Sequence, residues 1–390
     1  MVPRHRLTLR PIEADPRASA IERGAADLGL GALQEVFVAD IVFIDGDLGS
    51  ADRDRLHSVL VDPLLQRGNW DLPTSHAVEI ILQPGVTDSG ADAVRHACEQ
   101  LGIDIKAAAT GRRIRFSDHV SDELADEVIA RLVTNPIIER WTWGMIEPLH
   151  PGARQSVAAT IIPIRGADEA RLDAINNSRA LYLDPEEMVV IRDHFESLDR
   201  DPTDVELETL GQTWSEHCAH KTFRAVIHAT GGPDGGKQEL VPLMQQLRTC
   251  TETINAAFVR SAFVGNAGIV EFAKGTTIAL KAETHNHPSA VEPFGGANTG
   301  VGGVIRDVLG IAHKPIAITD ILCFGPADLP LADLPEGSLH PRRVREGVID
   351  GVADYGNKIG LPTVAGALLY DPAYTTNPLV FAGCIGTSPS

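Results

Sequence analysis

With 390 residues, the chain has room for two to three domains of about 150 residues each, and 43% hydrophobic with 22% charged residues marks it as globular rather than disordered or fibrous. Its 34 basic and 53 acidic side chains leave a net charge of −19, which excludes the basic footprint of non-specific nucleic-acid or anionic-membrane binders; any polyphosphate must be held by local glycines and a metal. No run approaches the roughly 18 apolar residues of a membrane span, Met1 to Arg6 lead into no signal-peptide core, and five cysteines without a C-x-x-C pair fit a reducing compartment, so a cytoplasmic protein without disulfides or a thiolate zinc site is expected.

The first part of the chain repeats itself. At an offset of 73 residues, Leu7 falls on Ile80, Pro11 on Pro84, Ile41 on Ile114, Pro63 on Pro136 and Trp70 on Trp143, without a gap. In the second copy, Val78 to Leu82 reads as a strand and Gly90 to Leu101 as a helix closed by Gly102. Ile103 to Phe116 reads as two short strands turning at Thr110-Gly111, and Ser121 to Val133 as a second helix. After the break at Asn135-Pro136, Ile137 to Trp143 reads as a fourth strand. The pattern predicts an α+β fold with a βαββαβ unit in each copy (about 5–73 and 77–146), the two sheets packed face to face as a pseudo-dimer. Neither copy concentrates His, Cys and carboxylates, so residues 1–147 read as a structural and docking module.

From about Leu149 to Ala180 the sequence is rich in Pro, Gly and Arg and reads as irregular, and Leu181 to Leu198 then has helical spacing with acidic residues near its start. Residues 148–222 therefore read as a linker with helices. Thr203 and Glu206 are spaced as a capping box for a helix from Val205 to His217. The cluster Trp214-Ser-Glu-His217-Cys218-Ala-His220-Lys221 would end that helix, where cations suit the dipole. Zinc at His217, Cys218 and His220 is disfavoured, because adjacent residues point to different helix faces.

The densest chemistry lies in 223–390. Thr276 to Leu280 reads as a strand running into Lys281-Ala-Glu283-Thr284-His285-Asn286-His287-Pro288. Alternation puts Lys281, Glu283, His285 and His287 on one face and Ile278, Leu280 and Ala282 toward a core, and Pro288 should keep His287 extended at the rim. Next comes Phe294-Gly-Gly296-Ala-Asn-Thr299-Gly300-Val-Gly302-Gly303, read as a glycine-rich turn that opens a helix at Val304-Ile-Arg306-Asp307 and aims N–H groups at an anion. It is neither a Walker loop nor the dinucleotide fingerprint.

Several of these runs resemble phosphoribosylformylglycinamidine synthase, the amidotransferase ligase of purine biosynthesis. They are Asp201-Pro-Thr-Asp-Val-Glu-Leu207 with Trp214 to Arg224, Glu283-Thr-His-Asn-His-Pro288, Gly296 to Asp307, and Tyr355-Gly-Asn-Lys-Ile-Gly-Leu-Pro-Thr363. The second copy of the repeat, with Leu82-Gln-Pro-Gly-Val-Thr-Asp88 and Asn135-Pro-Ile-Ile-Glu139, resembles the family's small subunit, here fused in tandem. The resemblance implies a barrel-forming α+β domain of the aminoimidazole-ribonucleotide-synthetase type over 223–390. It also implies conversion of formylglycinamide ribonucleotide, glutamine and ATP to the amidine, glutamate, ADP and phosphate. By motif position it makes His217 and His285 catalytic, the latter as proton acceptor, and His220, Lys281, Gly296, Thr299, Gly300, Gly302 and Gly303 ATP contacts. Thr284, His285, Asn286, His287 and Arg306 become substrate contacts, and Glu283 and Asp307 ligands of Mg²⁺. His220 stands where the small form has tyrosine.

The resemblance further implies partners, because the family's second synthetase half and its glutaminase domain or subunit are not recognisable in this sequence; the chain by itself is expected to be inactive. Two other readings stay open. One is a metal-dependent hydrolase built on His285 and His287, and the other a non-catalytic scaffold subunit. Tightly held zinc would favour the first, and nucleotide-dependent magnesium the ligase.

Overall fold

In the computed structural model both copies of the repeat fold alike. The first runs β1 (Arg4–Pro11), α1 (Pro16–Asp27), β2 (Phe37–Asp45), α2 (Ser50–Leu60) and β3 (Gln66–Trp70). The second runs β4 (Val78–Leu82), α3 (Ser89–Gln100), β5 (Ala107–Arg115), α4 (Asp122–Val128, prolonged by a π turn to Val133) and β6 (Glu139–Trp143). The described residues are 3–31, 33, 35–73, 76–148, 159–231 and 236–388. They group into two compact units, Met1–Gly152 with Arg260–Ser390 and Ala153–Val259.

Two expectations for the repeat are corrected. The pair of short strands around Thr110-Gly111 is one nine-residue strand, β5, because β2 pairs along its whole length and β4 pairs on its other edge. Gly111 marks a close approach rather than a turn: a Cβ there would lie 2.6 Å from the Ile80 carbonyl oxygen. The copies also do not stack face to face. They join edge to edge through β2 and β5 into one six-stranded sheet, ordered β3-β1-β2-β5-β4-β6, which pairs two long edges that would otherwise be exposed.

Ala39 pairs with Arg113 and Asp40 with Arg112, whereas the repeat equates 39 with 112 (39 + 73) and 40 with 113 (40 + 73). The pseudo-two-fold axis therefore passes between these pairs, and the pseudo-dimer is real but sheet-continuous. All four helices lie on one face, over Val38, Val78, Ile80 and Ile114 in one cluster and Leu7, Leu9, Val42 and Ile44 in the other. On the opposite face the fully buried Glu79 accepts from Arg6, from Arg113 Nη2 at 2.7 Å and from the Ile146 N–H at 2.8 Å.

The unit at 153–259 holds α5 (Glu169–Ser178), α6 (Pro185–Ser197), α7 (Asp204–Thr213), the single turns α8 (Glu216–Ala219) and α9 (Lys221–Arg224), the hairpin β7 (Ile227–Thr230) and β8 (Lys237–Leu240), and α10 (Leu243–Ile254). Residues 149–158 lie outside the described ones, but α5 falls in the stretch read as irregular. Asp168 caps it, and Leu172 anchors it in a core with Ile164, Leu183, Met188, Ile191 and Leu207. The Thr203/Glu206 capping box forms. The helix it starts stops at Thr213 instead of reaching His217, because Ser215 caps a new turn and His220 takes a left-handed conformation with φ 53°.

The third piece is a sheet of β9 (Val259–Ser261), β10 (Gly268–Ala273), β11 (Thr276–Thr284), β12 (Lys314–Phe324), β13 (Thr363–Tyr370) and β14 (Leu379–Thr387), ordered β13-β12-β14-β11-β10-β9, with the helices α11 (Asn286–Val291), α12 (Pro293–Gly310) and α13 (Pro341–Ile359). Val301, Val304, Ile305 and Val308 of α12 pack on Ile318, Ala382 and Cys384, and Val344 and Val348 of α13 on Leu322, Phe324 and Val380. The sheet is not closed. Its other face leaves Val270, Leu280 and Ile321 37%, 53% and 39% exposed. This reverses the expected sense of β11: the face with Lys281 and Glu283 looks toward α12, as the fully buried Ala279 on it shows, while Leu280 is on the open side.

Asp320 of β12 sits under the helices, 5% exposed, with both carboxylate oxygens unpartnered among the described residues. Burial pushes its carboxyl up to about 6, against a smaller opposing pull from Thr363. Since the folded state holds the proton more tightly than the unfolded chain, stability from this group is complete below pH ~4 and is lost as pH rises to about 6, by up to ~3 kcal/mol. Asp320→Asn should flatten that slope and raise the melting temperature at pH 8 more than at pH 4. Equal gains at both pH values in thermal melts would contradict this.

Candidate functional site

Strand β11 and helix α12 wall one cavity of about 350 Å³, lined by Asn266, Lys281, Glu283, His285, Thr299, Gly300, Gly303, Arg306 and Asp307. Two periodicities meet there. Lys281, Glu283 and His285 follow the two-residue repeat of a strand, while Thr299, Gly303, Arg306 and Asp307 follow the i, i+4, i+7, i+8 stripe of one helix face. Lys281 Nζ is 3.1 Å from Asp307 Oδ2 and 3.5 Å from Glu283 Oε2, so one ammonium bridges the two carboxylates. Asn266 Nδ2 donates to Asp307 Oδ1 at 3.2 Å.

His285 closes the strand. Its N–H donates to the Val380 carbonyl at 2.7 Å and its carbonyl accepts from Ser289 Oγ at 2.7 Å. Its Nδ1 is buried without a hydrogen-bond partner among the described residues. The ring rests on Gly300, where a Cβ would stand 2.9 Å from His285 Cβ.

The glycine-rich run is not a turn. All of it from Pro293 onward is helix α12, capped by the Glu292 carboxylate, which accepts from the Gly295 N–H. The glycines serve close packing instead: a Cβ at Gly296 would lie 2.5 Å from the Ser289 nitrogen, and one at Gly302 2.7 Å from the Tyr355 ring. Gly296 and Gly302 therefore face away from the cavity, and only Thr299, Gly300 and Gly303 of that run line it. His287 also leaves the row. Pro288 falls in the first turn of α11, where proline is tolerated, so His287 is helical and lines a different cavity with Asn135, Ala290 and His340. His285 and His287 thus do not converge on one metal, and among the described residues no group of three or more His, Cys, Asp or Glu is placed to hold one.

Thr284, by alternation, falls on the open face of β11, and Asn286 Oδ1 accepts from the Val380 N–H at 2.8 Å. His217 and His220 are exposed in the unit at 153–259. Sequence reasoning missed Asn266, whose only signal is a polar residue between Gly265 and Gly268 just ahead of β10.

Three family models match the chain. "Phosphoribosylformylglycinamidine (FGAM) synthase" matches residues 75–147, "Formylglycinamide ribonucleotide amidotransferase linker domain" 172–221, and "AIR synthase related protein, N-terminal domain" 264–388. Over these stretches the chain is similar to the phosphoribosylformylglycinamidine synthase family. Among its relatives, the synthase subunit PurL of Thermoplasma acidophilum is 43% identical over 225 residues, 58% of this chain and 27% of that protein. The PurL subunit of Corynebacterium ammoniagenes is 37% identical over 222 residues, 55% of this chain and 26% of that one. The solved Thermotoga maritima PurL complexed with ATP is 35% identical, with a TM-score of 0.35 over 50% of this chain and 26% of that chain. The chain spans about a quarter of the length of the curated relatives it matches. The small-subunit match falls on the second copy, and the shared order of strands and helices extends that fold to the first.

At this cavity, Gly300 and Gly303 give a paired test. Gly300→Ala would press a methyl on His285 and should destabilise the protein by ~1–3 kcal/mol. At Gly303 a Cβ meets nothing within 4 Å, so Gly303→Ala should stabilise the helix by up to ~1 kcal/mol. Chemical denaturation checks both signs; a neutral Gly300→Ala would show that the helix does not bear on the histidine.

Proposed function

We propose that the chain is the part of an ATP-dependent synthetase of purine biosynthesis that forms one phosphoryl-transfer site, converting formylglycinamide ribonucleotide and glutamine-derived ammonia to formylglycinamidine ribonucleotide with ADP and phosphate. One observation carries this reading: the row Lys281, Glu283, His285 faces the helix stripe Thr299, Gly300, Gly303, Arg306, Asp307 across a single cavity. The functional modules are then residues 1–147, 148–222 and 223–390.

The donor set suits Mg²⁺, which takes one or two carboxylates and completes its octahedron with phosphate and water. Glu283 and Asp307 would hold it, and it would supply charge neutralisation for the transferring phosphoryl group. Lys281 then contacts the nucleotide, with His220, Thr299, Gly300 and Gly303 as further ATP contacts; Gly296 and Gly302 act through packing. Arg306, Thr284, Asn286 and His287 are assigned to the ribonucleotide, and His217 to catalysis. The γ-phosphoryl moves from ATP to the amide oxygen, releasing ADP. Ammonia adds to the activated carbon, His285 accepts a proton from the incoming nitrogen, and phosphate leaves.

A cytoplasmic setting follows from this pathway, and among the described residues no helix is long and apolar enough to cross a membrane. The partners are the remaining synthetase half, which would cover the open sheet face at Val270, Leu280 and Ile321, and a glutaminase domain or subunit that supplies ammonia. The hydrolase reading loses its support because His285 and His287 line separate cavities.

Glu283→Gln keeps shape and removes one negative charge. Magnesium-dependent binding of ATP, measured by titration calorimetry, should weaken about tenfold or more in that variant while its melting temperature holds; unchanged magnesium dependence would overturn the assignment. Purified residues 1–390 should show no turnover with glutamine or ammonia, and supplying the remaining synthetase half should give ammonia-dependent product that His285→Ala abolishes. Product from the chain alone, or full activity in the reconstituted variant, would contradict the proposal.

A further inference from the structure

The N-terminal repeat reaches the candidate site through one corner. Where the π turn after α4 gives way to β6, Asn135 is 4% exposed, and its Nδ2 donates to the carbonyl of Val291 at 2.8 Å. Val291 is the last residue of α11, and that short helix begins immediately after His285. At the same corner the Arg343 guanidinium, from the start of α13, donates to the carbonyls of Thr134 at 2.8 Å and Arg131 at 3.2 Å. Burial lowers the pKa of Arg343, and arginine stays charged through such a shift.

The repeat supplies its own control. Asn135 corresponds to Asp62 (62 + 73), and both build the same turn. Asn135 Oδ1 accepts from the Ile137 N–H at 3.2 Å, and Asp62 Oδ1 from the equivalent Leu64 N–H at 2.8 Å. An acceptor alone therefore suffices for the turn. The amide N–H₂ at 135 is surplus to it and is spent on Val291, whereas Asp62 has no such donor and lies exposed.

We infer that Asn135 is a positioning residue: by holding the C-terminal end of α11, the second copy of the repeat fixes where His285 sits in the cavity. The other end of α11 is already fixed, by Ser289 Oγ on the His285 carbonyl and by Gly296 packed on the Ser289 backbone. A six-residue helix has little intrinsic stability, so its register depends on these outside contacts. A donor taken from Val291 leaves a half-buried carbonyl without that bond and frees that end. The consequence for catalysis rests on the function proposed above; the placement of His285 does not.

The test uses the full chain and two variants. Asn135→Asp keeps the acceptor that the turn needs and removes the donor, while Asn135→Ala removes both. Hydrogen exchange by mass spectrometry should be roughly tenfold faster over residues 286–292 in both variants, with β4 and β5 unchanged, and the His285 Cε1–H resonance should shift in both. If Asn135→Asp restores wild-type exchange and the wild-type resonance, Asn135 serves the turn alone and the inference falls. If α11 loosens but the His285 resonance does not move, the corner holds the helix without positioning the histidine, and the inference falls as well. Absence of ATP binding by the wild-type chain would count against the proposed function and leave both readouts valid.

Discussion

Everything at the site depends on how near α12 can come to β11 and α11. At Gly296 neighbouring backbone lies 2.5 Å from where a methyl group would be, and at Gly300 the Cβ of His285 lies 2.9 Å from it. A helix with side chains at those positions would have to stand off. Helical glycines cost stability, about 1 kcal/mol each relative to alanine, and α12 carries several. That cost is offset by burial of Val301, Val304, Ile305 and Val308 against the sheet, which draws the helix in and brings Thr299, Gly303, Arg306 and Asp307 opposite the strand.

The approach explains the electrostatics as well. Lys281 and Asp307 come from elements 26 residues apart in sequence (307 − 281) and meet at 3.1 Å, with Glu283 on the other side of the ammonium. Under the proposed function, a divalent ion with a polyphosphate would take the two acidic groups and the lysine would turn to the phosphate. The imidazole at the end of the strand then has a defined neighbourhood, since Gly300 lies against His285 and a main-chain bond ties that residue to Val380.

Much of this was legible in the sequence, for identifiable reasons. The 73-residue offset gave the pseudo-dimer, because a tandem copy must fold as its twin does. Alternation along 281–285 gave the row that faces the cavity, and the capping box at Thr203 and Glu206 gave a helix start. The failures are as physical. Glycines read locally signal a turn, yet in α12 they serve the packing of a continuous helix, which no local rule reveals. Which face of β11 is covered depends on α12, so the apolar residues Ile278 and Leu280 misdirected the core assignment. His287 was placed by extending a strand one step too far, past the point where Asn286 turns its carbonyl oxygen Oδ1 to Val380 and starts a helix. Edge-to-edge joining of the repeat could not be read at all, since a strand edge is a backbone property with no side-chain signature.

The central claim is that the cavity between β11 and α12 binds a magnesium nucleotide. The most direct measurement is the hydrogen-exchange footprint of ATP with Mg²⁺ on the full chain, read at peptide resolution. The account predicts protection confined to residues around 281–285 and 299–307 that disappears when magnesium is chelated. Protection elsewhere with these segments unchanged, or protection here that is indifferent to magnesium, would contradict it.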